Sequence, residues 1–204
     1  MFTLYTSPMS GNGRKVHMLL EEVGAAYQLS KLDLLKGDQK NPAYLQLNPN
    51  GKVPTLVDDG FVLWESNAIL LYLGEKFPAA KLLLSDGHDR ARMFQWLLFE
   101  QTTFRPPLSF LMRQTRFTPP DKQDQKAIEQ SWSEVHTNMG LLQTALSERD
   151  YIGGAFSVAD IAVLPYVYLA KDLGTDLAAW PGVEAYWQRL SARPSWQKII
   201  AWKG

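Results

Sequence analysis

Two stretches of this chain carry side chains suited to holding a small polar ligand. In GKVPTLVDDGFVLWESN (residues 51–67), Glu65 and Ser66 stand directly ahead of the apolar run Ala68-Ile69-Leu70-Leu71-Tyr72-Leu73. A helix start leaves backbone N–H groups without partners. With a hydroxyl beside them they hold a carboxylate, and a neighbouring glutamate holds an ammonium. The pair fits the zwitterionic end of an amino acid. The second stretch is Ser7-Pro8-Met9-Ser10-Gly11-Asn12-Gly13, at the head of a helical pattern over 12–23. Ser10 supplies a hydroxyl, Asn12 an amide N–H, and the glycines let a ligand approach the backbone closely. Serine and asparagine also cap helices readily, a use compatible with ligand binding for one of them but not for both.

The elements around these residues follow from pattern. Residues 2–6 (FTLYT) read as a strand. Val16, Leu19, Leu20 and Val23 have helical spacing, with Gly24 at the stop. Residues 27–34 suggest a second strand, and 36–50, polar and containing Pro42 and Pro49, a loop with a short helix. Residues 53–57 and 61–64 are β-branched, aromatic and apolar, and Asp58-Asp59-Gly60 between them is turn chemistry. Pro54 heads the first of these strands and removes a donor there, so it belongs on an edge or in an unusual turn. The order β-α-β-α-β-β-α is that of a thioredoxin-like α/β domain, expected over 1–79. After a linker at 79–88, everything to 204 reads helical, an all-α domain. Pro106-Pro107 must break or kink the helical stretch 88–117. Ile128, Trp132, Val135, Met139, Leu142 and Leu146 form one buried helix face. Ser157-Val158-Ala159-Asp160 is a capping-box variant, which gives Asp160 a structural role.

Composition narrows the function classes. The chain has 204 residues, 46% of them hydrophobic, enough for two small domains with a sizeable core. Lys plus Arg and Asp plus Glu are equal at 21 each, so charge gives no reason to expect nucleic acid or an anionic membrane as partner. The absence of cysteine excludes disulfides, thiolate metal sites and a cysteine nucleophile. His17, His88 and His136 are scattered, and no metal site is expected; His17 is expected at a surface or interface. The N-terminus lacks a signal-peptide pattern, and the expectation is a cytoplasmic chain.

The block LNPNGKVPTLVDDGFVLWESNAILLYL, the loop 7–14 and SVADIAVLPYV (157–167) together resemble the cytosolic glutathione transferases, in the same order and at the same separation. The loop is similar to those of bacterial theta-like and nu-like members, with Ser10, Asn12 and then Gly13-Arg14-Lys15. The resemblance implies the glutathione transferase fold and glutathione as co-substrate. It implies that Ser10 is the main donor to the glutathione sulfur and Asn12 the second, with Tyr5 and Ser7 as rivals. Val53, ahead of a cis-proline at Pro54, would bond the cysteinyl backbone. Glu65 and Ser66 would hold the γ-glutamyl end, and Gln39 and Lys52, with Lys40 as alternative, would meet the glycine carboxylate. A second-substrate pocket is expected around the Pro-Pro break, from Phe104, Arg105, Phe110 and Arg113.

A free thiol ionises with a pKa of about 8.5, and lowering this by about two units takes roughly 2.7 kcal/mol. A hydroxyl donor to a charged acceptor contributes about 1.5–3 kcal/mol, and a helix N-terminus up to about 2 kcal/mol. One well-placed donor at the start of helix 12–23 is therefore sufficient for a transferase acting on a small apolar electrophile. Glutathione-dependent disulfide reduction or peroxide reduction needs the same site. A non-catalytic interaction module of the same fold would have no need of these residues. The resemblance also implies a homodimer.

Overall fold

Alternation along FTLYT puts Phe2, Leu4 and Thr6 in the core of the first strand, β1 (Phe2–Thr6). The computed structural model describes residues 1–204 and continues with α1 (Gly11–Glu22), β2 (Tyr27–Lys31), α2 (Pro42–Leu47), β3 (Thr55–Asp58), β4 (Phe61–Trp64) and α3 (Ser66–Lys76). The strands form one sheet in the order β2-β1-β3-β4. β1 is parallel to β2, and β3 is antiparallel to both β1 and β4. This is the thioredoxin-like order expected from sequence, with β2 ending at Lys31 rather than residue 34. Asp59 (φ 45°) and Gly60 (φ 93°) both take positive φ at the β3–β4 hairpin. That conformation matches the right-handed twist of the strands and favours glycine. Pro54 precedes β3, an interior strand, and the Val53-Pro54 peptide is cis. Of the two settings open to it, the unusual turn is the one realised.

Two compact units are present, Met1–Leu83 with Ala192–Gly204, and Leu84–Ser191. The boundary between Leu83 and Leu84 falls inside the expected 79–88 linker. Residues 192–204 differ from the expected 88–204 division, because they group with the sheet. The reason is a set of contacts from α9 (Pro194–Ala201) to α1. Arg193 donates from Nε and Nη2 to the two carboxylate oxygens of Glu22, both at 2.7 Å, and Ser195 Oγ donates to Glu22 as well. Burial raises the Glu22 pKa, but these bonds together outweigh it and hold the carboxyl below the usual range.

The second unit holds α4 (Gly87–Phe99), α5 (Arg105–Phe117), α6 (Gln125–Leu146), α7 (Val158–Asp172) and α8 (Pro181–Ser191). Between α4 and α5, residues Glu100–Phe104 form a π-helical turn, and Pro106 and Pro107 then occupy the first turn of α5. Proline is tolerated in the first turn of a helix, but the residues before α5 are themselves helical, so carbonyls there need other donors. Asn138 Nδ2 donates to the Thr103 carbonyl at 3.1 Å, which Pro107 lacks the N–H to satisfy. α7 is buried along most of its length and forms the centre of this unit. Its capping box is complete. Asp160 accepts from the backbone N–H of Ile152 (3.1 Å) and Ser157 (2.9 Å), from Ser157 Oγ (3.1 Å) and from the Tyr186 hydroxyl (3.1 Å).

Candidate active site

The sheet register brings the chemistry-bearing loops to one edge of the first unit. Tyr5 of β1 pairs with Thr55 of β3, and Thr55 pairs with Trp64 of β4. The chain therefore leaves β1 toward Ser7–Ser10, enters β3 through Val53-Pro54, and leaves β4 toward Glu65-Ser66, all at the same end of the sheet. Three segments far apart in sequence are made neighbours by strand pairing alone.

Ser10 is the N-cap of α1. Its Oγ accepts from the Gly13 backbone N–H at 3.0 Å. A hydroxyl has two acceptor lone pairs and one proton. The cap uses an acceptor position, so the Ser10 proton stays available to donate to an anion at the helix start. Asn12 lies two residues further, inside the first turn of α1. The side-chain cap of α1 is therefore Ser10. Ser7 is buried, and its carbonyl accepts from Ser10 N at 3.0 Å. Tyr5 is half-buried, with its ring 5.9 Å from that of Tyr44. Both line a cavity of about 300 Å³ with Leu32, Asp38 and Leu47.

Glu65 is the N-cap of α3 and has φ 73° and ψ 110°, a conformation costly for any residue but glycine. Its side chain is exposed, and Asn50 Nδ2 lies 3.5 Å from its Oε1. Ser66 opens α3 and is buried. The loop before β3 is held by Tyr44 OH and Asn48 Nδ2, which donate to the Lys52 carbonyl at 2.6 and 2.8 Å. The Lys52 side chain is exposed. Gln39 belongs to a short 3₁₀ turn (Asp38–Lys40) packed on Gly51, beside Lys52, and its Oε1 is buried without a hydrogen-bond partner.

The four residues expected around the Pro-Pro break have different settings. Phe104 has no exposed surface and stacks on Phe99 with ring centroids 6.1 Å apart. It is a core residue of the second unit and cannot line an open pocket. Arg105 donates from Nη2 to the Gln101 carbonyl at 3.2 Å, while its Nε is buried and unpartnered. Phe110 is half-buried, with the Arg113 guanidinium 5.5 Å from its ring centre. His17 is also a correction. It is 3% exposed, with Nε2 at 2.9 Å from Tyr27 OH and its ring edge-on to Trp202. It is a core histidine of α1, not a surface one.

Sequence reasoning assigned no role to Lys15 or Asn67 beyond the place of Lys15 in the loop motif. Lys15 is fully buried on α1, and its Nζ reaches Ser66 Oγ at 3.4 Å and Asn67 Oδ1 at 3.3 Å. The signal was available: a cation on the same helix face as Val16, Leu19 and Leu20 has to find a polar partner.

A thioredoxin-like unit with a donor-bearing helix start, followed by an all-α unit, defines a ligand-binding class of two-domain protein. Residues 1–75 match the profile of the "Glutathione S-transferase, N-terminal domain", and residues 107–194 that of the "Glutathione S-transferase, C-terminal domain". Glutathione S-transferase F10 of Arabidopsis thaliana is 32% identical over 209 residues, covering 98% of this chain and 97% of that protein. The disulfide-bond oxidoreductase YfcG of Escherichia coli is 35% identical over 203 residues, covering 96% and 92%. The crystal structure of glutathione transferase URE2P6 from Phanerochaete chrysosporium, in complex with oxidized glutathione, superposes with a TM-score of 0.89 at 32% identity, covering 97% of this chain and 94% of that one. The chain belongs to the glutathione S-transferase family.

Proposed function

We propose that this protein is a glutathione S-transferase that ionises the glutathione thiol at the start of α1 and directs the thiolate at a small apolar electrophile. The observation that carries this is Ser10: its cap bond to Gly13 N leaves the hydroxyl proton free at a helix N-terminus. The thiol proton leaves to solvent, the hydroxyl and the helix start stabilise the sulfur anion, and the new C–S bond forms as the electrophile's leaving group or π electrons depart. Asn12 is the second donor. Val53 pairs with the cysteinyl backbone beside cis-Pro54. Glu65 holds the γ-glutamyl ammonium and Ser66 the carboxylate. Lys52 and Gln39 meet the glycine carboxylate. On the helical unit, Phe110, Arg113 and Arg105 offer an aromatic surface with guanidinium groups suited to apolar or anionic compounds. The working state is a homodimer in the cytoplasm; no helix is long and apolar enough to cross a membrane.

The test is a thiolate-absorbance titration of glutathione bound to the wild type and to Ser10→Ala. The expected result is a bound thiol pKa well below about 8.5 in the wild type, raised by about one to two units in the variant. An unchanged low pKa moves the donor role to Asn12, Ser7 or Tyr5. No glutathione binding at all sinks the reading. The likeness to YfcG supports a second reading, disulfide reduction by glutathione, distinguished by turnover of a glutathione mixed disulfide in place of an electrophile.

A further inference from the structure

Lys15 has no exposed surface. A lysine is almost never so deeply buried unless it is partnered. Its Nζ lies within 3.4 Å of Ser66 Oγ and 3.3 Å of Asn67 Oδ1, the first two residues of α3. An ammonium has donors only. Ser66 Oγ is therefore the acceptor of this bond, and its own proton must be directed at some other acceptor. The first-turn N–H groups of α3 offer further donors at the same helix start.

We propose that Lys15 is a positioning residue for the α-carboxylate of the γ-glutamyl group. It orients Ser66 as a donor and sets a buried positive charge behind the helix start. This rests on the glutathione reading of the site. It adds a residue from α1 that does not itself touch the ligand. A cation here acts through a water-poor interior, where its field is screened far less than at the surface. The same lysine links the helix that carries Ser10 to the helix that carries Ser66, so one residue ties the sulfur end of the site to the amino-acid end.

A bare tether between α1 and α3 would affect every ligand alike. A carboxylate-positioning residue would affect only ligands that carry the carboxylate. The experiment measures, by titration calorimetry, the affinity of wild type and Lys15→Met for glutathione and for γ-aminobutyryl-cysteinyl-glycine, which lacks the α-carboxylate. The expected result is a loss of about 10- to 100-fold for glutathione, with the analogue bound nearly equally by both proteins. Equal weakening of both ligands, or none, overturns the proposal. Should Lys15→Met fail to fold, the wild type with ¹³Cε-labelled lysine decides. The Lys15 resonance must shift with glutathione and not with the analogue; equal shifts or no shift overturn it. A wild type that binds no glutathione removes the transferase reading itself. A wild type that binds with Lys15→Met unaffected removes only this inference.

Discussion

Ser10 has two duties that ask for opposite ends of one hydroxyl. The cap needs an oxygen that accepts, and the thiolate needs a proton to donate. Substitutions separate them. Ser10→Asp keeps a capping acceptor and removes the donor; Ser10→Ala removes both. Ser10→Ala is expected to lower stability by about 1 kcal/mol, while Ser10→Asp melts close to the wild type. Both lose about 10- to 100-fold in transferase rate near neutral pH, Ser10→Asp at least as much, since its carboxylate repels the thiolate. Thermal melts beside initial rates check this; retained activity in Ser10→Asp would exclude Ser10 as donor. Glu65 has a comparable conflict, between a backbone that favours glycine and a side chain that holds an ammonium. An ordinary replacement by glycine costs about 0.5–1 kcal/mol. Glu65→Gly is expected to leave stability unchanged or higher, because the strain at φ 73° is released. It should also weaken glutathione binding, as equilibrium titration would measure.

At the scale of elements, the site depends on how closely α1 is seated on β1. A Cβ on Gly13 would lie 2.0 Å from Thr6 Oγ1, a buried atom on a buried strand. Gly13→Ala must therefore push the first turn of α1 off the sheet, and the Ser10 cap with it. The expected cost is about 1–3 kcal/mol, read by denaturant unfolding, with a fall in rate as Ser10 moves. In the helical unit, the element that matters is the start of α7. Asp160→Asn places an amide where four donors converge, and about 2–4 kcal/mol of stability should be lost. What was legible in the sequence at this scale was local chemistry: the turn in Asp58-Asp59-Gly60, the capping box in Ser157 and Asp160, the donors at the start of α1. Pairing of distant strands then placed those loops together, and only the thioredoxin-like element order hinted at that. The burial of Phe104, the seating of α9 on α1 and the core setting of His17 were not legible, since each depends on tertiary neighbours that no local pattern contains. Lys15 lay between: its position on an apolar face was visible, but its partners on α3, some fifty residues away, were not.

Across the whole molecule, two buried titratable groups respond to acid in opposite directions. In the first unit, burial pushes the His17 pKa down to about 4. Glu21 opposes this and Lys198 adds to it. Between about pH 4 and 6.5 the unfolded chain binds more protons at His17 than the folded one, so this contribution is complete above 6.5 and is lost as pH falls. In the second unit, burial pushes Asp160 up to about 6, against the pull of its four hydrogen bonds. Here the folded form binds more protons between about pH 4 and 6, so stability at this site is greatest in acid and declines as pH rises through about 6. The two slopes nearly cancel over a shared window, and each hides the other in the wild type. Removing one exposes its opposite. His17→Gln takes away a slope of up to about 1.4 kcal/mol per pH unit, so its stability, relative to the wild type, should improve steadily as pH is lowered from 6.5 toward 4. Asp160→Asn should do the reverse and become more acid-labile than the wild type. Denaturant unfolding of the three proteins at half-unit pH steps gives these difference curves directly. Glu22 and Asp58, whose carboxyls are held below their usual range, lose stability in acid in all three alike and drop out of the differences; Glu21, also held low, faces His17, so His17→Gln removes part of what lowers it. Parallel curves for His17→Gln and the wild type would mean that His17 takes up its proton without leaving the folded state.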